Sequence, residues 1–137
     1  MIYQGTAIPF VDLLPGCTVA DNDSTKSMLL ACSALGASLG QTIIVTHGTD
    51  GQHSGHADPH PFGYALDIRT HGLDVDAALD FLHGHIDHSM FFAQAEDRGI
   101  ANEHLHMQVQ KSLWPTLVDP TLLAEARAKD AAVKDNA

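Results

Sequence analysis

The chain has 137 residues, 45% of them apolar, with 17 acidic against 7 basic side chains and a formal charge of −10. That length fits one domain with one core, and the acidic surface repels the phosphate backbones whose neutralisation drives nucleic-acid binding, so no DNA or RNA partner is expected. Cys17 and Cys32 lack CxxC spacing and cannot build a disulfide framework, so both read as ordinary buried thiols.

In chain order, Phe10, Val11, Leu13 and Leu14 make a short apolar set before Pro15-Gly16 and suit an edge strand or an extended arm. Asp21, Asn22, Asp23 and Ser24 offer N-cap oxygens, and Met28, Leu29, Ala31, Cys32, Leu35 and Leu39 recur at helical spacing up to Gly40, which predicts a first helix. The β-branched run Thr42-Ile43-Ile44-Val45-Thr46 predicts a buried strand. From His47 to Pro61 the composition is Gly, Asp, Ser, His and Pro, which suits a loop over a site. Tyr64-Ala65-Leu66-Asp67-Ile68 predicts a second strand with one acid inside it, and an unpaired buried carboxylate is costly, so Asp67 requires a partner. Asp74 or Asp76 can cap a second helix carrying Val75, Ala78, Leu79, Leu82 and Ile86 and ending near His88. Met90 to Ala95 and His104 to Val109 predict two more strands joined by a turn at Asp97-Arg98-Gly99. Residues 120–134 predict an Ala-rich helix, leaving a single domain over 1–137 with its core at about 21–118 and a C-terminal helix and tail at 120–137.

Neither apolar stretch, Met28 to Leu39 or Thr42 to Val45, approaches the roughly 20 residues of a membrane span, and the first residues lack a secretory pattern. The expectation is a protein without a membrane partner, cytoplasmic as synthesised, and released on lysis or carried in a virion. Nothing in the pattern speaks to oligomeric state.

Histidine is the unusual residue: ten copies, none before His47 and none after His106. Imidazole nitrogen and carboxylate oxygen are the ligands zinc prefers, and a catalytic site takes three of them and keeps the fourth position for water. His60 and Asp67 flank Gly63, which can turn the chain so that a loop residue and a strand residue converge. His106 then comes from a second strand, provided the Ile68 and Val109 strands are neighbours presenting one face.

His60-Pro61-Phe62-Gly63-Tyr64-Ala65-Leu66-Asp67 fits HxxGxAxD, and Glu103-His104-Leu105-His106 fits ExxH. Over about Thr42 to Val109 the chain resembles peptidase family M15, the zinc D-Ala-D-Ala carboxypeptidases and L-alanyl-D-glutamate endopeptidases, whose small members include phage endolysins. The resemblance implies an α+β fold of hedgehog/DD-peptidase type, a small mostly antiparallel sheet with flanking helices, and Zn2+ held by His60, Asp67 and His106. It implies Glu103 as general base. His104 is the second candidate, because on a regular strand His104 and His106 share a face and Glu103 points away. The implied substrate is a peptidoglycan stem peptide or a D-amino-acid dipeptide, cut at an amide bond; the alternative is a non-catalytic zinc-binding phage structural or binding protein on the same fold.

The group's SGxR stretch reads Thr46-His47-Gly48-Thr49-Asp50 here, without the arginine, and Asp58 stands where a serine is usual. His53, Ser54 and Arg69 are the candidates for the missing substrate-binding donors. His47, His56 and His71 read as solvated loop histidines, as does His53 if it does not serve as such a donor, and His83, His85 and His88 as decoration of the second helix. Phe91, Phe92 and Trp114 read as core.

Overall fold

The computed structural model describes residues 1–50, 60 and 63–113. The predicted helix at 120–134 and the residues His53, Ser54, His56, Asp58 and Trp114 lie outside the described residues.

The chain opens with a two-stranded hairpin, β1 (Ile2–Tyr3) and β2 (Thr6–Ala7), turned at Gln4 and Gly5, both at positive φ. That pair of left-handed residues is the geometry of a tight two-residue hairpin turn. Tyr3 Oη donates to the Ala20 carbonyl at 2.6 Å, tying the hairpin to the chain just ahead of the first helix.

A five-stranded sheet follows, in the order β3-β4-β5-β7-β6, made of β3 (Val11–Leu13), β4 (Ile43–His47), β5 (Ala65–Arg69), β6 (Phe91–Glu96) and β7 (His104–Val109). Only β3 and β4 run parallel, and their crossover is helix α1 (Asp23–Leu39), as a parallel pair requires. The remaining pairs are antiparallel. The described residues are therefore α+β, with two α-helices and two small sheets, the larger mixed. The opening apolar set resolves into β3 at the sheet edge. Among the described residues no helix is long and apolar enough to cross a membrane.

Of the four candidate N-caps, Asn22 is the one used: its Oδ1 accepts from the Thr25 N–H at 2.7 Å, and Gly40 closes the helix in the left-handed region. Helix α2 (Val75–His85) is capped by Asp74, which accepts from the Ala77 N–H. Asp76 instead pairs with Arg98 at 2.7 Å on the surface. The helix stops three residues short of His88, because Ile86 is already extended and Asp87 starts a turn that receives the Met90 and Phe91 N–H groups.

Alternation along the strands gives the sheet two unlike faces. Val45, Leu66, Ile68, Ala93, Leu105, Met107 and Val109 are buried in one core with Met28, Leu29, Cys32, Leu35 and Leu82 from the helices. Each full burial of such a side chain is worth about 1.5–3 kcal/mol. The opposite face carries Asp67, Arg69, Phe92, Glu96, His104, His106 and Gln108, the intervening positions of the same strands. Phe92 therefore departs from the core expectation: Phe91 is buried with the helices, while Phe92 sits half-buried with its ring 6.3 Å from that of His106.

Cys32 is fully buried, and burial pushes its thiol up to about 12; Cys17 is half-buried, and burial reinforced by the Asp50 charge pushes it up to about 11. Since the thiolate is the reactive species, a disulfide reagent at pH 8 is expected to label Cys17 roughly two orders of magnitude more slowly than a free thiol and Cys32 more slowly still. Both should react at once in guanidinium. Fast native labelling of Cys32 would mean that α1 does not pack as described.

Candidate metal centre

The polar face of the sheet is organised around Asp67. In the β5–β7 ladder it lies directly opposite His106, and in the β4–β5 ladder directly opposite His47. The register between Val45 and His47 shifts by one residue, a β-bulge of the kind that re-aims a side chain next to a site. His47 Nδ1 ends 3.8 Å from Asp67 Oδ2. Arg69, His104 and Glu96 form the adjacent rank, with Arg69 opposite His104 and His104 opposite Glu96.

His60 reaches the same point from outside the sheet. Its ring is fully buried, its Nδ1–H donates to the Gly48 carbonyl at 2.8 Å, and its Nε2 faces Asp67 Oδ1 at 3.4 Å. Gly48 is pressed so closely on the chain that a β-carbon there would lie 2.1 Å from the Thr18 carbonyl oxygen, which is why only glycine can offer its carbonyl to His60 here. Three residues on, the Gly63 N–H donates to the His60 carbonyl, and the Gly63 carbonyl accepts from Thr25 Oγ1 in the first turn of α1. The ligand-bearing loop end is thus bolted to the helix.

His106 Nδ1–H donates to Asp67 Oδ1 at 2.9 Å and its Nε2–H to Gln108 Oε1 at 2.7 Å. His60, Asp67 and His106 are all buried, and their ligand atoms lie within 4.8 Å of one another. Glu96, His104 and His106 form a second such group among the described residues. His60 and His106 each have one ring nitrogen committed to a protein oxygen and the other aimed at the carboxylate. That is how metal-ligating histidines are held, with the outer hydrogen bond selecting the tautomer. The donor set, two imidazoles and a carboxylate, fits a divalent cation.

Comparison of the chain with protein-family models, curated proteins and solved structures found no match.

The electrostatics agree with a site built around one anion. Burial opposes ionisation of Asp67, but hydrogen bonds from His106 and His60 and the charges of those rings more than offset it and hold its carboxyl well below the usual range. Burial likewise opposes charging of His106, and the bonds to Asp67 and then Gln108 outweigh it, so its pKa is raised. His104 is raised for the same kind of reason: burial lowers it, and the Asn102 carbonyl, Asp67 and Glu96 raise it by more.

The two candidate bases occupy different places. His104 starts a regular β7 on the site face, its Nε2 3.8 Å from Asp67 Oδ1. Glu103 precedes the strand, and its exposed carboxylate accepts from the Gly99 N–H at 2.9 Å, which holds it below the usual carboxylate range. Both line an open cleft of about 790 Å³ over the site, together with Arg69, Glu96 and Asp67. Asp50, in the stretch lacking the arginine, accepts from the Gly48 and Thr18 N–H groups and so braces the loop below His60.

The sequence does not single out Glu96 and Gln108, and it presents His47 as a loop histidine. A usable signal existed for the first two. Gln108 lies two residues beyond His106, on the same strand face, and the turn at Asp97-Arg98-Gly99 puts Glu96 across from His104. His47 gave no such signal, because its aim depends on the bulge. His71 lines the cleft edge. His83 bonds the Ala93 carbonyl and His85 stacks on Phe81, both on the exposed side of α2.

Proposed function

We propose that this protein is a zinc-dependent peptidase of the hedgehog/DD-peptidase type, hydrolysing an amide bond in peptidoglycan stem peptides, as a D,D- or L,D-carboxypeptidase or endopeptidase. The single observation that carries the reading is the convergence of His60, Asp67 and His106, named together by HxxGxAxD and ExxH, below an open cleft.

Hydrolysis adds water across the C–N bond, leaving a carboxylate and an amine. Zinc, when bound, polarises the scissile carbonyl and acidifies a water molecule. The chain supplies the rest. Asp67 and the two imidazoles fix the cation, with Gly48 and Gln108 holding the ring orientations. A group on the cleft wall, Glu103 or His104, accepts the proton of the attacking water and passes it to the leaving amine. Arg69, exposed at the end of β5 on the cleft wall, is placed to receive the carboxylate of a stem peptide.

The decisive assay is release of D-alanine or stem-peptide amines from purified peptidoglycan by zinc-loaded protein, with Glu103→Gln and His104→Gln beside the wild type. The variant that removes the proton acceptor is expected to lower turnover by about 10²–10⁴-fold. Stoichiometric zinc without turnover in any form would favour the second reading, a non-catalytic zinc-binding phage structural or binding protein. The observation on that side is the stretch Thr46 to Asp50, in which Asp50 stands braced in place of a substrate-binding arginine.

A further inference from the structure

We propose that Glu96 and His104 form a second divalent-cation position beside the first, sharing the Asp67 carboxylate, so that the centre holds a pair of ions. Glu96 Oε1 lies 2.9 Å from His104 Nε2 and 3.9 Å from His106 Nδ1, and His104 Nε2 lies 3.8 Å from Asp67 Oδ1. Donors around a tetrahedral cation with bonds of about 2.0–2.2 Å stand roughly 3.3–3.6 Å apart, a spacing that the His104–Glu96 and His104–Asp67 pairs bracket from below and above.

The orientation of His104 repeats that of the inner histidines. Its Nδ1–H donates to the Asn102 carbonyl at 2.7 Å, which commits the outer nitrogen and turns Nε2 toward Glu96 and Asp67. Glu96 and His104 are also cross-strand partners in a regular antiparallel ladder, so their spacing is set by rigid elements.

One ion cannot use all five groups. His106 turns a single nitrogen inward, the other being held by Gln108, so it serves one ion. Asp67 has two oxygens, and its Oδ1 stands 2.9, 3.4 and 3.8 Å from the inward nitrogens of His106, His60 and His104. We assign His60, His106 and Asp67 to an inner ion, and His104 and Glu96 to an outer one, with the Asp67 carboxylate, 3.8 Å from His104 Nε2, as its third donor. Paired ions bridged this way stand about 3.5–4 Å apart.

The two positions differ in access. His60, Asp67 and His106 are buried, whereas Glu96 and His104 are half-buried on the cleft wall, so an incoming carbonyl or carboxylate oxygen meets the outer ion. His104 is then a ligand, and the proton-accepting role passes to Glu103 on the same wall. This inference rests on the inner triad being a metal site; it does not depend on which bond is cleaved.

The test is zinc stoichiometry on dialysed protein by elemental analysis, with Mn2+ electron paramagnetic resonance alongside. The wild type should hold two zinc ions per chain and show a spin-coupled manganese pair. Glu96→Gln, isosteric and at a half-exposed position, should hold one zinc and show an isolated-ion manganese spectrum, and His104→Gln the same. One zinc in the wild type that survives Glu96→Gln overturns the pair and leaves the inner triad standing. One zinc that is lost in Glu96→Gln but kept in His60→Ala overturns the pair and the inner triad together, as does no zinc at all. Two zinc ions persisting in both outer variants overturn the assignment of Glu96 and His104.

Discussion

Asp67→Ala is expected to abolish metal binding and turnover together. Asp67 is the one group that His47, His60, His104 and His106 all face, at 3.8, 3.4, 3.8 and 2.9 Å. Loss of an outer hydrogen bond to a metal ligand costs 10–100-fold in affinity, so loss of the central ligand should cost more than about 100-fold. Zinc titration calorimetry checks this, and retained stoichiometric zinc would contradict the assignment of the centre.

The same variant has a pH signature in metal-free protein. Asp67 is held below its unfolded value, so its contribution to stability is present above about pH 4 and is lost as pH falls through the folded value. His106 is held above its unfolded value, so its contribution is complete below about pH 6.5 and is lost as pH rises through the folded value. The stability gap between wild type and Asp67→Ala should therefore be widest between about pH 4 and 6.5, of order 3 kcal/mol, because removing one partner strands a buried charge. It should narrow toward pH 8, where His106 can shed its proton. Urea unfolding with chelator at pH 5 and pH 8 measures both ends, and a gap that widens with pH would refute the pairing.

Gly63→Ala is the second large effect. Gly63 sits at φ +76°, and a β-carbon there would stand 2.2 Å from the Ala20 β-carbon. Left-handed strain costs an L residue about 1–2 kcal/mol, and overpacking adds about 1–3 kcal/mol. Together, a loss of about 3 kcal/mol or more in urea unfolding is expected, with a matching loss of zinc affinity because Gly63 anchors the His60 end of the loop on Thr25. Adding Ala20→Gly should remove the clash and return the overpacking part while leaving the strain. A double variant no better than the single would mean that the strand entry has moved elsewhere.

Much of the framework was legible because it obeys local rules. The N-cap cluster at Asp21 to Ser24, the 3.6-residue apolar recurrence and Gly40 define α1 without reference to the rest of the chain. Beta-branched residues and period-two alternation place β4, β5 and β7 within a residue or two. Helix α2 is legible too, but its end is not, since Ile86 keeps the apolar spacing while its backbone is already extended and Asp87 opens a turn.

The site divides along the same line. His60, Asp67 and His106 could be named from the sequence because two spaced motifs and the isolation of an acid in an apolar strand all point at them. What the sequence by itself determined was therefore the local elements and the three residues, His60, Asp67 and His106, that converge as a candidate metal site. Only the tertiary structure decided that β5 and β7 pair with Asp67 opposite His106, and that β6 lies beyond β7 so that Glu96 meets His104. It also decided that a bulge turns His47 onto Asp67 while Glu103 bonds the Gly99 N–H. The physical reason is that strand order and register are fixed by burying one apolar face against α1 and α2. A one-residue slip would turn every polar group of the site into that core, and the energy that forbids it belongs to long-range packing.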